Sequence, residues 1–386
     1  MLTSLESPAM AVPVAATRPY RVLVCDDQPD VLHALQLLLK GQGYEAVTVD
    51  SPRALLREAR SDDFDLILAD LNYTRDTTSG EEGLDLLAGL ESQGNTTPVI
   101  VMTAWGSIDL AVEAMRRGAC DFVQKPWDNE RVLAAIRKQA DSERGRRSEL
   151  EIAATVQQKL FPRAARQLRT IDYAGHCVAA RGVGGDYYDF LDLGDGSLGF
   201  VLADVSGKGV PAALLMANLQ ACFRTQAASG VLGPAELLEA VHKHFYSSTG
   251  SDRFATLFFG SYDDHTRQMR YVNCGHCAPL LLRANGELIK LEPTATMLGA
   301  FEDWSCGEEE VSLEPGDTLL LYSDGVTEAA DATDDDFGED RLVRTLRESG
   351  ASTAGDLVRE IVKVVSVFSE ASLGDDITVV TIRGIQ

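Results

Sequence analysis

Arg21-Val-Leu-Val-Cys-Asp-Asp27 opens the first folded block and decides how that block is built. A short apolar run leads straight into two aspartates, which is the pattern of a strand buried on both faces. The next segment has a different period. Val31, Leu32, Leu35, Leu38 and Leu39 recur at spacings of three and four, and Gly41 and Gly43 close the helix that this spacing predicts. The alternation then repeats. Tyr44 to Val49 reads as a strand, Pro52 to Arg60 as a helix, Phe64 to Ala69 as a strand and Gly80 to Leu90 as a helix. Strand Pro98 to Met102, helix Ser107 to Arg117, strand Cys120 to Gln124 and a helix from Asp128 follow. Five strands alternating with five helices imply a doubly wound α/β fold, a five-stranded parallel sheet wrapped on both faces.

The last of these helices runs past the end of a compact domain. No proline interrupts Asp128 to Phe161, and apolar residues recur at Leu133, Ile136, Ala140, Leu150, Ala153, Val156 and Leu160. Between them Asp141 to Glu149 carries six charges in nine residues around Gly145. Such a segment reads either as a solvated surface helix or as a signalling helix that pairs with a second copy, and its charged stretch is expected to pack weakly and bend. Pro162 is expected to end it. From Arg166 onward the texture changes. Short strand-like runs (Gly199 to Ala203, Ala255 to Tyr262, Gln268 to Asn273, Leu280 to Leu282, Asp317 to Tyr322, Ile377 to Ile382) accompany helices at Pro211 to Ala228, Gly233 to Tyr246 and Ala354 to Phe368. That combination predicts an α+β sandwich. The expected organisation is a flexible leader over 1–19, a first domain over 20–140, a helical linker over 141–165 and a second domain over 166–386.

The whole-chain figures agree. A length of 386 residues suggests two or three domains, and 45% hydrophobic with 24% charged residues is ordinary for globular protein. The net charge of −24 would repel a phosphate backbone, so no nucleic-acid partner is expected, while an acidic excess suits divalent cations. Seven scattered cysteines read as reduced thiols rather than a disulfide framework. No apolar run approaches the roughly 20 residues that cross a bilayer, so a soluble, cytoplasmic protein without a membrane partner is expected.

Asp26 and Asp27 follow the first strand, Asp70 the third, Thr103 the fourth and Lys125 the fifth. Open α/β sheets bind ligands at this edge, so residues distant in sequence converge there. Three carboxylates would repel one another unless a divalent cation neutralised them. Asp26-Asp27 alone would do no more than cap a helix. Together Val24-Cys-Asp-Asp27, Ile67-Leu-Ala-Asp-Leu71, Val101-Met-Thr-Ala104 and Val123-Gln-Lys-Pro126 resemble the receiver domain of two-component response regulators, over about Tyr20 to Ala140. The resemblance implies that Asp70 accepts phosphate from a sensor histidine kinase, with Asp26, Asp27, Asp70 and the Asn72 carbonyl holding Mg²⁺. It further implies that Thr103 and Lys125 contact the phosphoryl group, and that Phe122 is the switch aromatic. The loop Asn72 to Gly80 is longer and more polar than the family's usual Met-Pro turn.

The second region repeats acidic residues beside glycine at strand ends: Gly184-Gly-Asp-Tyr-Tyr-Asp-Phe190, Leu202-Ala-Asp-Val-Ser-Gly-Lys-Gly209, Leu321-Tyr-Ser-Asp-Gly-Val-Thr-Glu328 and Gly374-Asp-Asp-Ile-Thr-Val-Val380. Glycines permit close backbone approach and aspartates supply hard oxygen ligands. Carboxylates that hold two cations lower the pKa of a shared water, giving hydroxide for attack on a phosphoester. Each segment alone would be only a turn. In this order they resemble the metal-dependent PPM-type protein phosphatases of the bacterial sporulation and general-stress branch, over about Arg166 to Gln386. Ala153 to Pro162 resembles the helix leading into that branch. The resemblance implies a site for two Mn²⁺ or Mg²⁺ ions. Asp186 and Asp204 would bridge them, while the Val205 carbonyl, Asp324 and Asp375 complete the ligands. Asp376, Gly325 and His276, the last in the turn Tyr271-Val-Asn-Cys-Gly-His-Cys-Ala-Pro279, would support it.

The reading is a response regulator whose phosphorylation at Asp70 controls a phosphoserine/phosphothreonine phosphatase. By resemblance the substrate is a phosphorylated STAS-domain anti-sigma-factor antagonist, and the linker helix could form a homodimer. The alternative is a catalytically inactive PPM-fold module that works by docking alone.

Overall fold

The computed structural model describes residues 18–61, 63–73, 81–103, 108–162, 167–230, 233–249, 253–331, 333–369 and 373–385. Residues 1–17 of the expected leader and 74–80 of the long loop after Asp70 lie outside them. The chain divides into two units, Met1–Glu149 and Leu150–Gln386.

In the first unit, strands β1 (Arg21–Cys25), β2 (Glu45–Val49), β3 (Leu66–Asp70), β4 (Val99–Thr103) and β5 (Asp121–Gln124) alternate with helices α1 (Pro29–Gly41), α2 (Pro52–Ser61), α3 (Glu81–Ser92), α4 (Ile108–Arg116) and α5 (Asn129–Gln158). The strands pair in parallel in the order β2-β1-β3-β4-β5. Side chains alternate across a strand, so one apolar run supplies two layers. Val22, Val24, Leu66, Leu68, Ile100 and Met102 pack under Leu35 and Leu39 of α1 and Val132 and Ile136 of α5. Leu23, Cys25, Ile67, Ala69 and Val101 pack under Leu55 of α2, Leu87 and Leu90 of α3 and Ala114 of α4. Each Val, Leu, Ile and Met side chain among them contributes about 1.5–3 kcal/mol on burial, which is why these strands read as unbroken hydrophobic runs.

The charged stretch of α5 corrects an expectation. It does not pack weakly, and the helix is continuous through Gly145. Glu143 is buried and accepts from Arg146 Nε at 2.8 Å and from Arg147 Nε at 2.7 Å. Arg147 also pairs with Asp63 at 2.5 Å and donates to the Phe64 carbonyl at 2.8 Å. The Arg144 guanidinium lies 3.6 Å from the centre of the Tyr20 ring. The polar gap in the heptad pattern is therefore a polar interface, in which charges that read as solvated find opposite charges ahead of β3. The helix gives out at Gln158, where Lys159 and Leu160 N–H bond back to Val156 and Gln157 carbonyls in a tighter turn. It ends before Pro162, where the sequence had placed the stop.

The second unit contains β6 (Ile171–Val178), β7 (Tyr187–Gly194), β8 (Ser197–Val205), α6 (Val210–Ala228), α7 (Pro234–Ser248), β9 (Ala255–Asp263), β10 (Gln268–Cys274), β11 (Leu280–Leu282), β12 (Leu288–Lys290), β13 (Glu309–Ser312), β14 (Thr318–Tyr322), α8 (Asp324–Thr327), α9 (Gly338–Glu348), α10 (Ala354–Phe368) and β15 (Ile377–Gly384). Two antiparallel sheets form, ordered β13-β10-β9-β8-β7 and β12-β11-β14-β15-β6. Tyr173, Tyr188, Phe200, Phe258, Leu319, Leu321 and Val380 fill the space between them. Outside the first sheet, Val201 and Phe259 meet Met216 and Phe223 of α6 and Val241 of α7. Outside the second, Leu320 and Val379 meet Leu342 of α9 and Ile361 of α10. The result is an α+β sandwich of four layers. Strands β6 and β7 were not legible in advance, because Asp172, Gly175 and His176 break the apolar pattern of one and the Gly184-Gly185 turn masks the start of the other. Among the described residues no helix is long and apolar enough to cross a membrane.

Candidate functional site

Parallel strands deliver the first cluster. Asp26, Asp27 and Asp70 each bring a carboxylate oxygen within 4.8 Å of the others. Lys125, just past β5, places Nζ 2.6 Å from Asp26 Oδ2 and 2.9 Å from Asp70 Oδ2. Burial raises the Asp70 pKa, only partly offset by the Lys125 ammonium. For Lys125, burial disfavours the charge, but its bonds to Asp26 and Asp70 outweigh that and raise its pKa. The Asn72 backbone N–H lies against the Asp70 carboxylate, and the buried Asn72 side-chain Oδ1 has no hydrogen-bond partner among the described residues. Thr103 is buried, its carbonyl accepting from Lys125 N at 2.7 Å, and Phe122 is exposed on β5. Three carboxylates against one ammonium, with a spare oxygen beside them, fit a hard divalent cation such as Mg²⁺.

Antiparallel strands deliver the second cluster from both sheets of the sandwich. Asp186 precedes β7 and Asp204 lies in β8. Asp324 opens α8 after β14, and Asp375 and Asp376 precede β15. The pairings Tyr187↔Ala203 and Tyr322↔Val379 set these positions at one end of their sheets. Asp186 is buried and accepts from Thr378 Oγ1 at 2.6 Å. Burial and the Asp204 charge push its carboxyl well above the usual range. Asp204 is pushed up to about 7 by burial, then by Asp324, Asp375 and Asp376. Asp324 is raised by burial and by Asp375. Lys208 Nζ stands 2.7 Å from Asp375 Oδ2 and donates to the Gly374 carbonyl at 3.0 Å. Val205 is buried, and its N–H reaches the Gly185 carbonyl at 3.4 Å. Asp186, Asp204, Asp324 and Asp375 are more loosely gathered than the receiver's three aspartates, and with Lys208 only at their rim they leave negative charge that an oxygen-seeking divalent metal would neutralise.

Three further candidates have defined places. Asp376 accepts from the Ala180 and Gly185 N–H groups, each at 2.9 Å, so its oxygens are spent on backbone. A Cβ on Gly184 would overlap the Asp376 carboxylate, and one on Gly325 would overlap the Asp376 carbonyl; this is the close approach those glycines permit. His276 is held by its surroundings: Nδ1 lies 3.0 Å from Thr256 Oγ1, and its N–H donates to Asn273 Oδ1 at 2.9 Å. Burial pushes its imidazole down to about 4, against a smaller opposing effect of the Tyr322 backbone. Sequence reasoning passed over Thr378 and Lys208, both inside segments it had quoted. The period of β15 holds the signal for Thr378, two residues beyond Asp376 and so on the same face.

Comparison with known proteins follows this geometry. The family described as Stage II sporulation protein E (SpoIIE) matches residues 194–384, and the response regulator receiver domain matches 22–137. Phosphoserine phosphatase RsbU of Bacillus subtilis is 30% identical over 239 residues, covering 61% of this chain and 70% of RsbU. The chain belongs to the SpoIIE family of PPM-type phosphatases. Ahead of that domain it carries a response regulator receiver domain. Protein IcfG of Synechocystis is 28% identical over 264 residues, of which this chain spans 41% of the length. The SiaA-PP2C domain of Pseudomonas aeruginosa shares the fold, with a TM-score of 0.56 at 21% identity, covering 63% of this chain and 98% of that one. PPM-type phosphatases are metal-dependent phosphoester hydrolases, and the second unit gathers carboxylates at one end of its two sheets.

Proposed function

We propose that this chain is a two-component regulator in which phosphorylation of Asp70 by a sensor histidine kinase controls hydrolysis of phosphoserine or phosphothreonine on a folded protein, in the cytoplasm. In the receiver, Asp26, Asp27, Asp70 and Asn72 hold Mg²⁺, Lys125 and Thr103 meet the phosphoryl oxygens, and Phe122 reports the change. In the phosphatase, Asp186, Asp204, the Val205 carbonyl, Asp324 and Asp375 hold two Mn²⁺ or Mg²⁺ ions. When bound, such ions supply a water of lowered pKa as nucleophile. The chain's own residues do the rest. Asp186 is aimed by Thr378, Asp376 fixes the backbone that carries Asp186, and Lys208 offers a cation at the rim of the cluster. The substrate we infer is a phosphorylated STAS-domain anti-sigma-factor antagonist, in line with the kinship to RsbU.

The convergence of Asp186, Asp204, Asp324 and Asp375 from two sheets, with buried Asp186 accepting from Thr378 Oγ1 at 2.6 Å, carries this reading. Carboxylates so mutually unfavourable persist where a cation compensates them. A direct test measures Mn²⁺-dependent phosphate release from a phosphorylated STAS protein, with and without beryllofluoride on the receiver. Release that is metal-dependent and shifted by beryllofluoride supports the proposal. Binding of the STAS protein without release would point to an inactive docking module instead.

A further inference from the structure

Helix α5 ends inside the phosphatase unit on a buried amide. Gln157 is 8% exposed, although Val156 and Gln158 on either side of it face solvent. Its Nε2 donates to the Gly184 carbonyl at 2.7 Å and its Oε1 accepts from the Gly184 N–H at 3.1 Å. One side chain thus satisfies both backbone polar groups of a single residue, as a neighbouring strand would. The other side of the same loop is closed by Asp376, whose carboxylate takes the Gly185 N–H at 2.9 Å and the Asp186 N–H at 3.4 Å. Gly184 has no room for a side chain there, because a Cβ would overlap that carboxylate. The loop leading into Asp186 is therefore clamped from two directions, by Asp376 at the strand end and by Gln157 from the helix.

We propose that Gln157 is a positioning residue for Asp186, setting the loop geometry on which divalent-cation affinity of the carboxylate cluster depends. The inference rests on the reading of Asp186 as a metal ligand. Groups that orient a ligand through its backbone or hydrogen bonds tune metal affinity by about 10–100-fold. The polar partner is required, since an apolar residue at 157 would leave the Gly184 N–H and carbonyl buried and unpaired. The position has a regulatory consequence. Gln157 stands at the end of the helix whose first two thirds belong to the receiver's unit, and one residue of helix is about 100° of rotation. A small twist of α5 about its axis is delivered to the Gly184 peptide with no other element in between.

The test uses the full chain, with Mn²⁺ as the probe. Calorimetric Mn²⁺ titration, made in parent and variants alike in an Asp26→Ala/Asp27→Ala background that silences the receiver's own cation site, should show Kd raised about 10–100-fold by Gln157→Ala, with the metal-free circular dichroism spectrum retained. Hydrolysis of p-nitrophenyl phosphate should need correspondingly more Mn²⁺, while kcat at saturating Mn²⁺ stays within about threefold of the parent. Gln157→Glu keeps the length and the acceptor but cannot donate to the Gly184 carbonyl, so it should weaken Mn²⁺ similarly. Gln158→Ala should match the parent in both assays. Mn²⁺ affinity within twofold of the parent in Gln157→Ala would overturn the proposal, as would a kcat loss at unchanged Mn²⁺ affinity, which is what a purely structural role produces. Should Gln157→Ala fail to fold, Gln157→Glu carries the same two thresholds. A parent protein that binds no Mn²⁺ would sink the reading of the carboxylate site itself, whereas tight binding in parent and variants alike sinks the Gln157 assignment alone.

Discussion

The receiver's cluster and the phosphatase's cluster are both carboxylates at strand ends with one lysine among them, yet they are assembled differently. In the receiver, β1, β3, β4 and β5 run in the same direction, so Asp26, Asp70, Thr103 and Lys125 reach one edge as each strand finishes. The lysine is central, within 3 Å of both Asp26 and Asp70. In the phosphatase unit the acids come from two sheets, and backbone contacts such as those of Asp376 with Ala180 and Gly185 tie the sheets together at the site. Its lysine, Lys208, is half exposed and touches Asp375 at the rim. Burial is the first cause that raises a carboxyl pKa in both sites, but Lys125 opposes it at Asp70, whereas Asp324, Asp375 and Asp376 add to it at Asp204, which is pushed up to about 7.

That contrast can be broken most sharply at Asp70. Asp70→Ala should abolish labelling by acetyl phosphate outright, because no other carboxylate ends β3 opposite Thr103 and Lys125. Asp204→Asn should still be labelled normally. Phosphoryl group recovered on Asp26 or Asp27 in the alanine variant would refute the assignment. Next in size, Asp204→Asn should lower turnover on the order of a thousandfold, since several kcal/mol of charge stabilisation depend on the cluster. Asp375→Asn should be severe but partly restored by excess Mn²⁺. The fold should persist in both, because removing one of several crowded carboxylates relieves repulsion when metal is absent. Full turnover in Asp204→Asn, measured on the phosphorylated STAS protein, would rule out a two-metal mechanism.

These two clusters also differ in how readable they were. Asp26, Asp70 and Thr103 each directly follow an apolar run and Lys125 follows the fifth strand, so strand ends and site residues are found together, and order alone brings them to one edge. The phosphatase aspartates were visible, three of them as Asp-Gly or Gly-Asp pairs, and Asp376, Gly325 and His276 with them, but two further supports were not. Thr378 hides in a β-branched strand, and Gln157 sits on a helix face among Ala153 and Leu160, where a polar residue looks like a flaw in the stripe. The packing of the charged stretch of α5 was not legible, because the Asp63 and Phe64 partners of Arg147 are about 80 positions away in sequence and only the fold brings them near.

His276 sharpens the contrast by pH. Burial holds its imidazole neutral, with a pKa of about 4 against about 6.5 for an exposed histidine. Between those values the unfolded chain binds a proton that the folded chain refuses, so stability is fully present above about pH 6.5 and declines as pH falls toward 4. The loss is on the order of 3 kcal/mol over the window. Urea unfolding of the metal-free chain at several pH values should show this acid limb. His276→Gln, which can still bond Thr256, should flatten it, and an unchanged limb would move the cause to the carboxylates.

The smallest expected effect is on the coupling between the two clusters, of the order of 1–3 kcal/mol and hence about 5–150-fold in activity. Coupling through α5 requires that the helix have two arrangements favoured differently by the phosphorylated and free receiver. The ion pairs of Glu143, Arg146 and Arg147 fix its receiver-side stretch, and Gln157 fixes its far end on Gly184. Two residues inserted after Arg147 leave both sets of partners present but turn one set relative to the other by about 200°. The ratio of phosphatase activities with and without beryllofluoride should then fall to about one, while acetyl-phosphate labelling and metal-saturated hydrolysis both survive. Seven inserted residues, within about 20° of two full turns, should restore much of the ratio. A two-residue insertion that leaves the ratio intact would make the helix a passive tether, and control would have to pass by direct contact between the domains.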